Sequence, residues 1–502
     1  MKKEKPLILR LSDKKKSVIL IKEAERDLNN DKVLIPYEIL TSEAHIVMLN
    51  KVGILDLEST IKILKMLEAF YEKWNRNNIQ LNPELEDIHF NIESYLINKL
   101  GIRIGGKLHT ARSRNDLIAT DMRLYLRDLI NHFSQKLLDA IERLLSIAER
   151  NVRTIIPGYT HMQQAQPITL SHYLIAQADQ LLRSYQRLRE SYERVNLSPL
   201  GAGALAGVNW PIDRELTAKL LGFSGIIENS LDAINSRGEI EIELLSDLAI
   251  IATQLSRIAE DLIFWSTQES GLIELDDAYA GVSSIMPQKK NPEAAEIIRA
   301  KASEIYGKLI GALTLMKGLP TGYNKDMQEL KSIIRESFET IELNLEAIVN
   351  MIDTMKIKNE AFLKSPTITY TLATDIADIL VKNLGISFRE AHQIIATAVR
   401  LSQGKGLTPD YIIIALSEIL GLKDYDLSTI SFNPEISIMM KASKGSTNPD
   451  ENIRMLTERK NIILQERNKL NAETKRIDEA LFRLKNEVNK LINSYNELIS
   501  LR

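Results

Sequence analysis

The sequence predicts an almost all-helical protein built on a central bundle of very long helices, and three observations carry that prediction. Residues 121–156 and 239–270 each run for more than 30 positions without Gly or Pro and are rich in Leu, Ile, Ala, Arg and Glu, a composition that favours helix. In the second run Leu244, Leu248, Ile251, Leu255, Ile258 and Leu262 recur every three or four residues, the apolar stripe that a bundle helix buries. Strand-like alternation is nearly absent apart from residues 17–21.

Composition narrows the class of function. At 502 residues the chain is long for one core, which suggests several domains or one elongated bundle. The 44% of apolar residues is ample for a buried interior. A net charge of −3 from 64 basic and 67 acidic side chains gives no electrostatic case for a nucleic-acid or membrane partner, so a small-molecule substrate fits better. No segment approaches the roughly 18 consecutive apolar residues of a membrane span, and the start Met-Lys-Lys-Glu-Lys lacks the apolar core of a signal peptide. A cytoplasmic protein is expected. The sequence contains no cysteine, which excludes disulfides, thiolate catalysis and Cys-ligated zinc. Seven histidines remain for proton transfer near neutral pH.

In chain order, residues 1–108 read as an N-terminal helical domain, 109–360 as the central long-helix bundle, 361–449 as a small C-terminal helical domain and 450–502 as a helical extension. Just ahead of the first long helix, residues 105–116 read Gly-Gly-Lys-Leu-His-Thr-Ala-Arg-Ser-Arg-Asn-Asp. A chance polar loop can look like this, yet two arginines and an amide also suit the forked hydrogen bonding of carboxylates. After that helix, residues 157–167 read Pro-Gly-Tyr-Thr-His-Met-Gln-Gln-Ala-Gln-Pro and place Thr160 beside His161. An isolated histidine is more often structural than catalytic. The glycine-rich 201–207 segment reads as a tight turn or close helix contact, because no strand is expected before it and no Lys-Ser/Thr follows.

Residues 283–296 read Ser-Ser-Ile-Met-Pro-Gln-Lys-Lys-Asn-Pro-Glu-Ala-Ala-Glu. Pro287 and Pro292 interrupt regular structure, whereas 293–306 lacks Gly and Pro and has Ile297, Ile298 and Ala300 at helical spacing, so the loop feeds a helix N-terminus. Unpaired N–H groups and a partial positive charge there, with Lys289 and Lys290, would stabilise an anion. Farther on, residues 319–331 read Leu-Pro-Thr-Gly-Tyr-Asn-Lys-Asp-Met-Gln-Glu-Leu-Lys, and Gln328 and Lys331 are three apart, able to share a helix face,. In the extension, Ile463, Leu470, Ile477, Leu484, Leu491 and Leu498 are spaced by sevens with Leu481, Val488 and Tyr495 between them. That heptad seam predicts a helix packed on a partner or folded back on its own domain, carrying no chemistry.

The serine-loop pattern Ser-Ser-x-Met-Pro-x-Lys-x-Asn-Pro resembles the signature of the fumarase/aspartase superfamily, whose members eliminate fumarate from succinyl-substituted substrates. The 105–116 segment, the Thr-His segment and the 319–331 segment narrow the resemblance to the argininosuccinate lyase family. Ser42-Glu-Ala-His45, Glu86-Asp-Ile-His89, Asn229-Ser-Leu-Asp232 and Phe388-Arg-Glu-Ala-His392 add to it, so that it covers residues about 38 to 449. The chain departs at Val282 for Gly, Ala111 for Gly, Leu117 for Gln, Lys325 for Arg, Gly238 for Asp and Ser303-Glu304 for Gly-Arg. It also lacks the family's N-terminal Trp-Gly-Gly-Arg-Phe and the nearby substrate-binding Ser.

The resemblance implies an all-α, three-domain lyase that forms a homotetramer with a 20-helix core and active sites shared between subunits. It implies release of fumarate and arginine from argininosuccinate with no metal and no organic cofactor. Ser283, His161, Lys289, Asn291 and Glu296 become the expected catalytic residues, and Ser113, Arg114, Asn115, Thr160, Tyr323, Gln328 and Lys331 the expected substrate-binding ones. On this reading Ser283 removes the proton beside a carboxylate, Lys289 and Asn291 hold the doubly charged carboxylate that results, and His161, paired with Glu296, protonates the departing nitrogen or positions a water that does. The reverse assignment of Ser283 and His161 stays open. A neighbouring specificity (adenylosuccinate lyase, fumarase, aspartase) shares the serine loop without the other motifs, and a catalytically silent structural paralogue would keep the tetramer alone. A helical scaffold built on the heptads explains only the extension.

Overall fold

In the computed structural model, which describes residues 16–423 and 425–500, five helices form the centre: Arg114–Arg150, Leu170–Val195, Glu239–Trp265, Glu293–Met316 and Leu330–Thr354. The first is 37 residues long and starts where Ser113 and Asp116 cap each other reciprocally, satisfying two backbone N–H groups that a helix start leaves orphaned. Leu244, Leu248, Leu255 and Leu262 are fully buried, so the stripe read from sequence is the face this helix turns inward. The same core takes in buried side chains of Ile35–Lys51, Leu57–Asn75 and Ile88–Leu100. A separate small core forms around Leu372, Ile376, Leu380, Ile394, Ile412 and Leu416. Among the described residues no helix is long and apolar enough to cross a membrane.

Three sequence expectations change. The helix expected to reach residue 156 stops at Arg150, where Asn151 turns its side-chain amide back onto Ile147 O at 2.8 Å. Ile155–Thr160 then pairs antiparallel with Gln163–Thr169. That hairpin escapes pattern reading because Pro157, Gly158 and Pro167 break the alternation and a register shift follows Pro157,. Residues 17–21, read as strand-like, are instead the N-cap and first turn of the helix Val18–Asp31, with Val18, Ile19 and Leu20 exposed. Finally, a two-residue parallel pairing, Leu197–Ser198 with Gly225–Ile226, does precede the glycine-rich segment.

That segment nevertheless behaves as a close contact. Gly201 and Gly203 both have positive φ and direct their N–H groups at Asp116 Oδ2, at 3.0 and 2.8 Å. Their anion is thus a buried carboxylate of the chain itself, one whose pKa burial pushes up to about 6,.

The extension is a single helix, Pro449–Ser500, 52 residues long and therefore about 78 Å from end to end. Ile463, Leu470, Ile477, Leu484 and Val488 are buried and Leu481 and Leu491 partly so, while the side chains of Tyr495 and Leu498 lie outside those described. The seam packs within its own chain, along Arg114–Arg150 and Leu57–Asn75. Charged residues on its flanks fasten it: Arg459 to Asp179, Arg467 to Asp139 and Glu142, and Lys485 to Glu43 and Glu68.

Candidate active site

The serine loop is a small hairpin whose arms, Gly281–Val282 and Lys290–Asn291, pair antiparallel and deliver the chain into the helix Glu293–Met316. Ser283 Oγ accepts N–H from Met286 at 3.0 Å and Ile285 at 3.4 Å. Its two lysines differ. Lys290 is tied down, donating to Leu275 O at 2.8 Å and paired with Asp277 at 2.6 Å and Glu274 at 3.2 Å. Lys358, and after it Lys290, hold the Glu274 carboxyl down at about 2. Lys289 is exposed, with no ion pair among the described residues. A Cβ on Gly281 would fall 1.8 Å from the Glu293 carboxyl carbon, so a larger residue there would turn that flexible side chain aside, while Val282 is 88% exposed. Glu296 lies one turn into the helix and is exposed.

Thr160 and His161 sit at the tip of the second hairpin, exposed, with His161 and Met162 both at positive φ, 55° and 58°. Left-handed backbone at a non-glycine residue costs about 1–2 kcal/mol, and such strain collects at functional sites. Within the chain, among the described residues, no hydrogen bond or ion pair joins His161 to Glu296.

Of the remaining expected residues, Asn115 and Tyr323 border the glycine-rich segment. Ser113 caps the long helix, and Asn115 donates to Ala204 O at 3.2 Å. Arg114 reaches Asp87 at 2.8 Å and Glu86 at 3.1 Å and lies over the Phe90 ring. Across the segment, Tyr323 OH accepts from Gln328 Nε2 at 3.2 Å, and its ring carries the buried Arg237 guanidinium, 4.7 Å from the centroid. Gln328 Oε1 and Arg237 NH1 are buried with no hydrogen-bond partner among the described residues, polar groups of the kind a ligand satisfies. Lys331 Nζ is bound by both Asp31 oxygens, at 2.8 and 2.9 Å.

No motif in the sequence singles out Asp27 or Asp31. They lie four apart on the helix Val18–Asp31 and hold Lys325 and Lys331 respectively. The i,i+4 acidic spacing opposite Lys325 and Lys331 was the available signal, in a stretch that reads only as a departure from the family motif. Leu117 is 1% exposed, so that departure is absorbed by the core rather than by the site's surroundings. Gly238, at φ 88°, lies where a Cβ would meet the Met316 side chain at 2.5 Å.

A lyase family model matches residues 22–307, and an argininosuccinate lyase C-terminal model matches residues 370–434. An argininosuccinate lyase of Geobacillus thermodenitrificans is 45% identical over 419 residues, 83% of this chain and 90% of that protein. One from Oceanobacillus iheyensis is 42% identical over 430 residues, 85% and 93% of the two chains. The crystal structure of EDDS lyase in complex with formate superposes with a TM-score of 0.83 at 29% identity, covering 95% of each chain. A class II fumarase from Schistosoma mansoni, at 16% identity and TM-score 0.65 over 84% of this chain and 94% of that one, shares the fold. With its motifs carried on this helical frame and identity extending over more than four-fifths of its length, the chain belongs to the argininosuccinate lyase family.

Proposed function

We propose that the chain splits argininosuccinate into arginine and fumarate by acid–base elimination, acting in the cytoplasm as a homotetramer. Family membership sets the reaction, and the observation that carries the chemistry is the Ser283 hairpin. Two backbone N–H groups converge on one hydroxyl oxygen there, an arrangement that favours its alkoxide, and Lys289, an ammonium with no ion pair among the described residues, stands on the same loop. Ser283 takes the proton from the carbon beside a substrate carboxylate. Lys289 and Asn291 hold the charge that builds on that carboxylate, and His161, oriented by Glu296, gives a proton to the departing guanidine nitrogen. Ser113, Arg114, Asn115 and Thr160 grip the succinyl end, while Tyr323, Gln328 and Lys331 bind the arginine end. No step calls on a metal or organic cofactor.

Among the described residues of one chain no hydrogen bond or ion pair joins the serine hairpin to His161, Arg114 or Lys331, and copies of the chain bring these groups together. The helix Glu293–Met316 supports this: Ile297, Ile310 and Leu313 are 58%, 62% and 48% exposed, and Gly307 and Gly311 leave open space where side chains would stand. Such a face needs other helices to cover it, in keeping with a 20-helix core. The division at residues 108, 360 and 449 into domains and extension belongs to the same proposal. Mixing tests it. Ser283→Ala and His161→Asn proteins, each inactive, should regain activity when unfolded and refolded together, because some mixed sites receive an intact Ser283 and an intact His161 from different copies. Activity that never returns in a mixture shown to contain hybrid tetramers counts against shared sites.

A further inference from the structure

The Ser42–His45 and Glu86–His89 matches have no part in the proton transfers, yet their histidines are buried together behind the segment that carries Ser113, Arg114 and Asn115. His45 Nε2 meets Thr110 O at 2.8 Å, and Arg112 NH1 donates to Ser42 Oγ at 2.9 Å. Ser42 in turn donates to Glu38 Oε1 at 2.9 Å, and Glu38 Oε2 takes His89 Nδ1 at 2.8 Å. Asp121 lies behind this chain, its Oδ1 accepting from Thr41 at 2.6 Å and its Oδ2 3.8 Å from His89 Nδ1. Glu38, Thr41, Ser42, His45 and Asp121 are fully buried, and Arg112 is 8% exposed. Between Thr110 and Arg112 stands Ala111, at φ 58°, a left-handed residue that persists only where its surroundings fix it.

We propose that Glu38 and His89 are positioning residues for substrate binding. Through Ser42 and Arg112 they fix the turn at Ala111 and so the aim of Ser113, Arg114 and Asn115 at a substrate carboxylate. The inference rests on the elimination proposed above. A buried guanidinium needs a buried counter-charge, and Glu38 Oε1, 3.9 Å from Arg112 NH2, supplies it. Burial and the neighbouring Glu38 carboxylate push Asp121 well above the usual carboxylate range, whereas His89 and then Arg112 outweigh burial at Glu38 and hold its carboxyl down at about 2. His89 then fixes the second Glu38 oxygen. The ligand atoms of Glu38, His89 and Asp121 lie within 4.8 Å of one another, close enough to gather about a cation. Arg112 already supplies the positive charge there, and the hydrogen bonds run from the cluster to the loop.

Steady-state kinetics on the full-length Glu38→Gln protein tests the inference. The amide keeps the shape and an acceptor for Ser42 but removes the charge that holds Arg112. KM for argininosuccinate should rise by about 10-fold or more with kcat within about threefold, the pattern of lost binding that acts equally on ground and transition states. His89→Gln, whose amide can still donate to Glu38, should give a smaller rise in KM and stands in if Glu38→Gln does not fold. A merely structural role would lower the unfolding midpoint and leave KM of the folded fraction at the wild-type value, and that result overturns the inference. A wild-type protein that does not turn over argininosuccinate at all overturns the parent reading, and this inference with it.

Discussion

Replacing Leu484 by alanine tests whether the terminal helix is an integral part of its own subunit. Leu484 and Val488 are fully buried, and Ala480, one turn earlier, is 1% exposed. The adjacent Lys485 reaches across to Glu43 at 3.2 Å and Glu68 at 2.7 Å. The substitution removes three carbons from a closed site. At about 0.8 kcal/mol per carbon the transfer term is about 2.4 kcal/mol, and incomplete collapse of the cavity brings the expected loss to about 2–5 kcal/mol. Phe482, two residues away and 67% exposed, is the control: Phe482→Ala should stay within about 0.5 kcal/mol of wild type. Denaturant unfolding followed by circular dichroism, at one matched protein concentration because assembly contributes to apparent stability, separates the two. Turnover measured well below the unfolding midpoint should be unchanged in both. Equal midpoints for the two variants would refute the packing argument. A loss of kcat in Leu484→Ala at unchanged midpoint would refute the separation of this helix from the chemistry.

Asp31→Asn should cost about 3–5 kcal/mol, because it strands a buried ammonium: Lys331 and Asp31 are only 7% and 1% exposed at the side chain. The same unfolding measurement on the Asp31→Asn/Lys331→Met pair should recover much of that loss, and a single variant as stable as wild type would count against the buried pair. Acid should weaken the fold through histidine. Burial first, and the nearby Arg112 charge second, lower His45 to about 3 and His109 to about 4, whereas an unfolded histidine titrates at about 6.5. Below that pH the unfolded chain takes up protons that the folded one refuses, so stability falls as pH drops until the folded values are reached. By about pH 4 the His45 share is about 3 kcal/mol. His45→Gln keeps a donor for Thr110 O and should flatten the fall in unfolding midpoint between about pH 7 and 4; an unchanged slope would rule this histidine out.

What the sequence made legible follows from the range over which the physics acts. Uninterrupted runs such as 239–270 announce their helices because propensity and the Leu244–Leu262 stripe are local. The serine loop stands out in the sequence as a candidate anion site because two prolines, two lysines and a helix start adjoin there. The hairpin at Ile155–Thr169 is not, since Pro157, Gly158 and Pro167 hide a pairing that Ile155 and Ile156 stabilise by burial. The Asp31–Lys331 pair spans 300 positions, beyond any local pattern. The heptads require that a stripe be buried without naming the surface, and the helices Arg114–Arg150 and Leu57–Asn75 of the same chain supply it. The grip of Asp116 on Gly201 and Gly203 gives the glycine-rich segment its partner, where local spacing reads a tight turn or close helix contact without naming one.

The most direct test is fumarate release from argininosuccinate by the purified protein, followed by ultraviolet absorbance with a metal chelator present throughout. Wild-type protein should release fumarate and arginine in equal amounts. Ser283→Ala should retain substrate binding but lose turnover by about 100-fold or more, since its hydroxyl acts in the transition state. No fumarate from argininosuccinate, together with turnover of adenylosuccinate, malate or aspartate, would contradict the assignment, and near-normal turnover by Ser283→Ala would place the base elsewhere.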